Sequence, residues 1–309
     1  MLPSRDWPEI TDLLVAFDPQ TLQRLPVHRQ EVIDKLLAMG NRRGARIVSV
    51  LPVDAVGVLD PAAVDQALLT AHREMQILSE EFYHGLRMAR LLGPIINTVR
   101  EAAPGQSIRA LDIGCGHGYV VRWLAANARF GPDVELIGAD YNTTLIAEAR
   151  RLAQHEDLNC RFEAADGTRL SNPAAVQFST GILHHFRGGD LEALLQCHER
   201  DGVQAYFHFD FQPSPLAPLG SWFFHRVRMR SALTLHDGVL SAIRAHPASR
   251  LLEAARAATP GFKVCMFSTH VRPLPLPRVF HVLLAVRPEL VGALERNLGG
   301  MASRLGGWQ

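Results

Sequence analysis

Lysine is nearly missing from this chain: of 32 cationic side chains only Lys35 and Lys263 are lysines, and 31 acids leave a formal net charge of +1. So balanced a surface cannot neutralise many phosphates, which argues against a nucleic-acid partner. Cysteine is scarce too. Cys115, Cys160, Cys197 and Cys265 stand far apart with no CxxC pair, so no disulfide framework and no sequence-local metal knuckle is written into the chain. Free thiols in a reducing compartment are expected, and no metal is assigned. No apolar run approaches the about 18 uninterrupted residues of a membrane span, and Met1-Leu2-Pro3-Ser4-Arg5-Asp6-Trp7-Pro8 lacks the apolar core of a secretory signal. A cytoplasmic protein without a membrane partner is therefore expected. Internal repeats are also absent.

What is present suffices for a sizeable core. With 309 residues, 47% of them hydrophobic and 20% charged, the chain has material for one large domain with an extension, or for two. From Pro8 to about Val58, Ile10, Leu13, Leu14 and Phe17, then Val32, Ile33, Leu36 and Leu37, recur at helical steps. Asp60-Pro61 reads as a helix start, and a long helical run through Met75, Leu78, Phe82, Leu86, Leu91 and Ile95 follows, with Gly93-Pro94 expected to kink or divide it.

At Ser107 the pattern changes to alternating short apolar strands and helices. The strands are Ile108–Ile113, Val134–Asp140, Cys160–Ala165, Ala174–Ser179 and Val203–Phe211, with helices at Val120–Ala128, Thr143–His155 and Asp190–Arg200. That rhythm predicts an α/β fold, a doubly wound parallel sheet with right-handed crossovers. Residues 213–246, with Pro213, Pro215, Pro218, Trp222, Phe223 and Phe224, suit an insertion covering a pocket. Two β-like runs, Phe262–Thr269 and Val279–Val286, then flank the proline-rich stretch Arg272 to Pro277. The last twenty residues, glycine-rich after Leu298, are expected to fray.

In an open parallel sheet, ligands lie beyond the carboxyl ends of the strands, so residues there are informative. The first strand ends in Asp112-x-Gly114-x-Gly116-x-Gly118, where glycines let the backbone turn tightly against a ligand. A dinucleotide fingerprint would need its third glycine where Tyr119 stands. Asp140, 24 residues after Gly116, has two acceptor oxygens that match a ribose diol, and Asp166 can accept from an adenine amino group. With no pyrophosphate cradle, an adenosyl compound without phosphates fits best.

These residues resemble the class I S-adenosylmethionine-dependent methyltransferases, through Leu111 to Gly118, Gly138-Ala139-Asp140, Ala165-Asp166-Gly167 and Gly181-Ile182-Leu183-His184-His185-Phe186. The resemblance covers about Glu81 to Pro288. It implies a seven-stranded, mostly parallel Rossmann-like sheet with an antiparallel last strand in residues 81–288. A helical extension in 1–80 precedes it, outside that common core, as a lid, a dimer surface or simple hydrophobic packing against the sheet, and a tail in 289–309 follows. It implies S-adenosyl-L-methionine as cofactor, with Asp112, Gly114, Cys115, Gly116 and Gly118 flanking its methionine part. Asp140 with Tyr141 would hold the ribose, Asp166 and Gly167 would lie by the adenine, and Thr180-Gly181 would border the cofactor.

Methyl transfer from a sulfonium needs an aligned acceptor and, for a hydroxyl, a base. Candidates are His184, His185, His208, Asp210, His236 and Asp237. His208 and Asp210 share one face of their strand, so an imidazole oriented by a carboxylate is available there. His236-Asp237-Gly238, with Arg244 after it, resembles a motif of a bacterial small-molecule branch and reads as a substrate-facing turn, or as an N-cap at Asp237. A divalent ion on His184, His185, His208 and Asp210 is the minor alternative. The reading is O-methylation of a small molecule in specialised metabolism, by a possible homodimer. C- or N-methylation, a carrier-tethered acceptor and a non-catalytic cofactor-binding scaffold stay open. RNA methylation is disfavoured, because Ser179-Thr180-Gly181-Ile182 stands where amino-methylating enzymes carry an Asn/Asp-Pro-Pro-aromatic signature.

Overall fold

Helix α1 (Ile10–Leu13) is followed by the antiparallel pair β1 (Ala16–Phe17) and β2 (Arg24–Leu25), then by α2 (Arg29–Ala38), α3 (Arg42–Ser49) and α4 (Pro61–Glu81) in the computed structural model, which describes residues 4–166, 174–200, 202–268 and 279–309. Local chemistry sets the helix starts. Asn41 Oδ1 accepts from the Gly44 N–H at 2.9 Å, and Asp60 Oδ1 accepts from the Ala62 N–H at 3.0 Å just ahead of α4. The long helical run divides at Phe82-Tyr83, where Tyr83 takes a left-handed φ of 56°, and resumes as α5 (His84–Ala102). Of the two outcomes expected at Gly93-Pro94, a kink or a division, the division does not occur. Pro94 sits inside α5, where the buried face of Met88, Leu91, Leu92, Ile95, Ile96 and Val99 outweighs one lost backbone hydrogen bond.

From here the alternation follows the sequence reading closely: β3 (Ile108–Ile113), α6 (Tyr119–Asn127), β4 (Val134–Asp140), α7 (Thr143–His155), β5 (Arg161–Ala164), β6 (Val176–Thr180), α8 (Gly189–Gln196) and β7 (Ala205–Phe211). Two helices come next, α9 (Ala217–Arg228) and α10 (Ala232–Arg244), then α11 (Ala248–Ala258), β8 (Lys263–Ser268), β9 (Phe280–Val286) and α12 (Val291–Leu298). Among the described residues the sheet has seven strands in the order β5-β4-β3-β6-β7-β9-β8. Neighbours from β5 to β7 are parallel, and β9 runs antiparallel to β7 and β8. The winding reverses between β3 and β6, which opens a crevice beyond their carboxyl ends. β9 is buried along its whole length and β7 along nearly all of it, as strands covered on both faces require.

The chain forms two units, each made of two stretches. One joins the described residues up to Glu81 to Pro213–Ala245, and the other joins Phe82–Gln212 to the residues from His246 onward. In the first, Ile10, Leu14, Leu36, Val48 and Leu68 share a core with Leu233 of α10. In the second, the sheet packs on α8 and α11 through Leu191, Leu195, Leu251, Ala255 and Phe262.

The tail does not fray. Leu294 and Leu298 are buried, and the chain end lies along the edge strand β8: the Gly306 N–H donates to the Met266 carbonyl at 2.7 Å and the Gln309 N–H to that of Val264 at 2.9 Å. Covering an edge strand satisfies backbone groups that would otherwise be open to other chains, which a composition-based reading cannot anticipate. The stretch 272–277 lies outside the described residues. Among these residues no helix is long and apolar enough to cross a membrane.

Candidate functional site

The turn after β3 is held by backbone hydrogen bonds. The N–H groups of Gly114 and Cys115 both donate to the Ala139 carbonyl, at 2.8 and 3.0 Å, and Gly114, Gly116 and Gly118 all have positive φ. At Gly118 a Cβ would stand 2.4 Å from the Phe162 ring, and at Gly138 one would stand 2.8 Å from Cys115 Sγ. Glycine at these points therefore serves close packing beneath the turn as well as backbone freedom. Burial, with the Asp140 and Asp112 charges, pushes the Cys115 thiol well up, which disfavours thiolate chemistry there.

Asp112 and Asp140 converge on this turn. Asp140 Oδ2 accepts from the Gly116 N–H at 2.9 Å and Oδ1 from the Asn142 N–H at 2.8 Å. Burial raises its carboxyl, opposed by those two N–H groups and by His185. Each oxygen keeps a lone pair for a further donor. Tyr141 beside it is half exposed. Asp112 differs: it is buried, its Oδ1 has no hydrogen-bond partner, and burial together with the Asp140 charge raises its carboxyl well above the usual range. Thr180 Oγ1, at the end of β6, is also buried without a partner. Asp166 ends the strand-side segment next to Ala165, whose N–H donates to the Asp140 carbonyl, and Gly167 lies outside the described residues. Gly181 turns the chain with φ 75° and open space beside it, its N–H donating to Phe209 at 2.7 Å.

Beyond β6, the short turn Leu183–His185 carries both candidate histidines. His184 is fastened twice to Asp210 of β7: its N–H donates to Oδ2 at 2.9 Å and its Nδ1 lies 2.8 Å from Oδ1. Burial pushes the Asp210 carboxyl up, but the charge and hydrogen bond of His184 and the N–H groups of Phe211 and His184 outweigh it and hold the carboxyl down at about 2. The ionised carboxylate favours the Nδ1–H tautomer of His184, whose side chain is buried. His185 stacks at a tilt on His184, ring centres 4.4 Å apart. His246 steadies the turn by donating from Nε2 to the carbonyls of Leu183 and Phe186, at 3.1 and 2.9 Å.

Two expected bases need correcting. His208 shares a strand face with Asp210 but is wholly buried, with Nδ1 2.7 Å from Ser179 Oγ and Nε2 2.9 Å from His198 Nε2. His198 Nδ1 in turn lies 2.6 Å from Gln177 Oε1. Both His208 nitrogens are thus engaged, and burial lowers its pKa to about 4. A base needs a lone pair that the acceptor can reach, and His208 has none. His236 belongs to the other unit and sits within α10, not in a turn, with Nδ1 2.7 Å from Asp237 Oδ1 and Nε2 3.2 Å from Asn41 Oδ1. Asp237 does cap a helix, though not its own: its two carboxylate oxygens accept from the N–H groups of Ile10 and Thr11 at the start of α1.

Sequence reasoning missed His198, Gln177 and Ser179, because nothing in spacing marks a relay assembled from a helix end and two strands. It also missed His84, the first residue of α5, which is buried edge-on against Phe209 and Phe280 with neither ring nitrogen partnered and a pKa lowered by burial to about 3.

Comparisons agree with this architecture. Residues 110–200 match a methyltransferase domain family. A demethylmenaquinone methyltransferase of Thermus thermophilus is 29% identical over 175 residues, spanning 50% of this chain and 74% of its own. Among solved structures, the plantazolicin methyltransferase BpumL in complex with SAH superposes with a TM-score of 0.52 at 13% identity, covering 84% of this chain and 99% of its own. The plantazolicin methyltransferase BamL gives 0.51 at 12% identity over 72% and 96%. At such identities the structural likeness speaks for the fold.

Proposed function

We propose, for a chain that carries a methyltransferase domain over residues 110–200, methyl transfer from S-adenosylmethionine to the oxygen of a small-molecule acceptor. One observation carries the cofactor assignment: Asp112 is a buried carboxyl with an orphaned oxygen, at the end of the strand that leads into the glycine turn. A buried acid without a partner is costly, and a cationic ligand group relieves that cost. Asp112 would take the cofactor's ammonium, the free lone pairs of Asp140 its ribose hydroxyls, and Thr180 Oγ1 a further polar group. When bound, the cofactor supplies an electrophilic methyl group on a sulfonium.

The remaining work falls to the protein. In this reading the His184 imidazole, oriented by Asp210, takes up the hydroxyl proton of the acceptor, and Asp210, held ionised, stabilises the resulting imidazolium through Nδ1–H. This arrangement suits an oxygen acceptor, since a hydroxyl must lose its proton as it is methylated.

Calorimetry with S-adenosylhomocysteine, followed by a labelled methyl-transfer screen over phenols, carboxylic acids and amines, tests both parts. The expected result is binding that weakens about tenfold or more in Asp112→Ala, and turnover confined to hydroxyl or carboxyl acceptors. Unchanged affinity in that variant removes the cofactor assignment. Binding without transfer to any acceptor class leaves a cofactor-binding scaffold in its place.

A further inference from the structure

The helix α9 has two opposite faces of very different character. Its inner face is clamped to α10. Ser221 Oγ donates to the Gly238 carbonyl at 2.5 Å, His225 Nδ1 donates to the Ser221 carbonyl at 2.7 Å, and the buried His225 ring fills the space left by Gly238, where a Cβ would stand 2.0 Å away. That clamp turns Leu216, Leu219, Trp222, Phe223 and Val227 outward, 49–69% exposed. The steps of three and four residues put them on one stripe along the helix. Five large apolar side chains on three turns form a contiguous patch rather than the scattered exposure usual on soluble surfaces.

Charge indicates what covers the stripe. From Pro213 to His236 there is no acidic residue, whereas Arg226, Arg228 and Arg230 are all exposed. Arg228 is paired with Glu81 of α4. Arg226, four residues after Trp222 and three after Phe223, lies within the stripe, and Arg230 stands just beyond the C-terminal end of α9, where its backbone N–H donates to Glu74 Oε1.

We infer that α9 docks flat on an anionic lipid bilayer, with Leu216, Leu219, Trp222, Phe223 and Val227 entering the headgroup boundary and Arg226 and Arg230 meeting lipid phosphates. The helix is far too short to span a bilayer, and a basic flank beside Trp, Phe and Leu is the arrangement of an interfacial helix. The absent membrane span noted from the sequence bears only on crossing. A second copy of the chain is the weaker occupant. A two-fold contact would set the stripe against itself and bring the arginines of both copies together, which costs energy, whereas lipid phosphate is their complement. The inference does not depend on the methyl-transfer reading.

Cosedimentation of the full chain with vesicles tests it, using phosphatidylcholine alone and phosphatidylcholine mixed with phosphatidylglycerol. Association with the anionic vesicles, weakening as salt is raised, is expected. So is a blue shift of Trp222 emission, isolated by subtracting a Trp222→Tyr variant. Leu219→Glu with Phe223→Glu should lower the partition by about tenfold or more. Arg226→Gln should lower binding to anionic vesicles and leave that to neutral ones unchanged. All of these side chains face water, so both variants keep the parent's melting curve and its S-adenosylhomocysteine affinity. No association, equal association of the double variant, or a concentration-dependent dimer that the double variant dissolves would each overturn the inference.

Discussion

His184 and Asp210 form the contact on which the proposed chemistry turns, and its elements are individually ordinary: one imidazole, one carboxylate and a strand end that brings them to 2.8 Å. Removing the imidazole takes away the proton acceptor and leaves Asp112 and Asp140 in place. His184→Ala is therefore expected to lower kcat by about 10² to 10⁴ while S-adenosylhomocysteine affinity, read by calorimetry, holds. Turnover at the parental rate would remove His184 as the base. Both residues stood among the candidates that the sequence offered, but so did His208, and no spacing rule separates them. His208 and Asp210 alternate on the same strand face, and what distinguishes them is the company each keeps. Asp210 meets a turn that carries His184, whereas His208 meets His198 and Ser179 in the interior. Proximity in space, which spacing along a strand does not report, decides which imidazole is paired with the Asp210 carboxylate.

At the level of elements, the strand ends were legible because each βα unit writes its own local signal: an apolar run, then glycine or an acid, then helical periodicity. Residues 213–246 carry no such signal. Prolines and aromatics there suggested a covering insertion without saying how it is built; it forms α9 and α10, and His236-Asp237-Gly238 lies within α10 rather than in a turn. Each member of that motif answers to a neighbour distant in sequence or on another helix. Asp237 caps α1, Gly238 admits His225, and the buried Arg244 donates to the Trp7 carbonyl. Gly238→Ala puts a methyl group into the His225 ring and is expected to cost about 1–3 kcal/mol through overpacking, even though alanine favours helix. A urea titration measures it, and a gain in stability would mean that α9 and α10 have slack between them.

Taken as a whole, the molecule stores several histidines in neutral form. Burial lowers His84 to about 3, His208 and His281 to about 4, and His198 well below its ordinary value. In the unfolded chain these groups bind protons below about pH 6.5 while in the folded chain they do not, so stability falls with pH from there down to their folded values. One such histidine takes about 2 kcal/mol from stability by about pH 5. His198 and His208 share a hydrogen bond, so the losses do not simply add. Asp210 works in another window: held at about 2, it supports the fold until pH drops below its unfolded value and loses that support towards 2. A urea midpoint that declines between about pH 7 and 5 is expected, and a flat one would mean that these rings are hydrated. The sheet and its glycine turn could be read from the chain alone, since each strand, turn and helix there is specified by residues a few positions apart. The joining of the N-terminal helices with Pro213–Ala245 into one unit, the tail laid along β8, and the division of the histidines into those paired with a carboxylate, His184 and His236, and those held neutral by burial were decided by the tertiary structure. These depend on contacts between residues tens to hundreds of positions apart, whose free energy exists only once the chain has folded and water has been excluded.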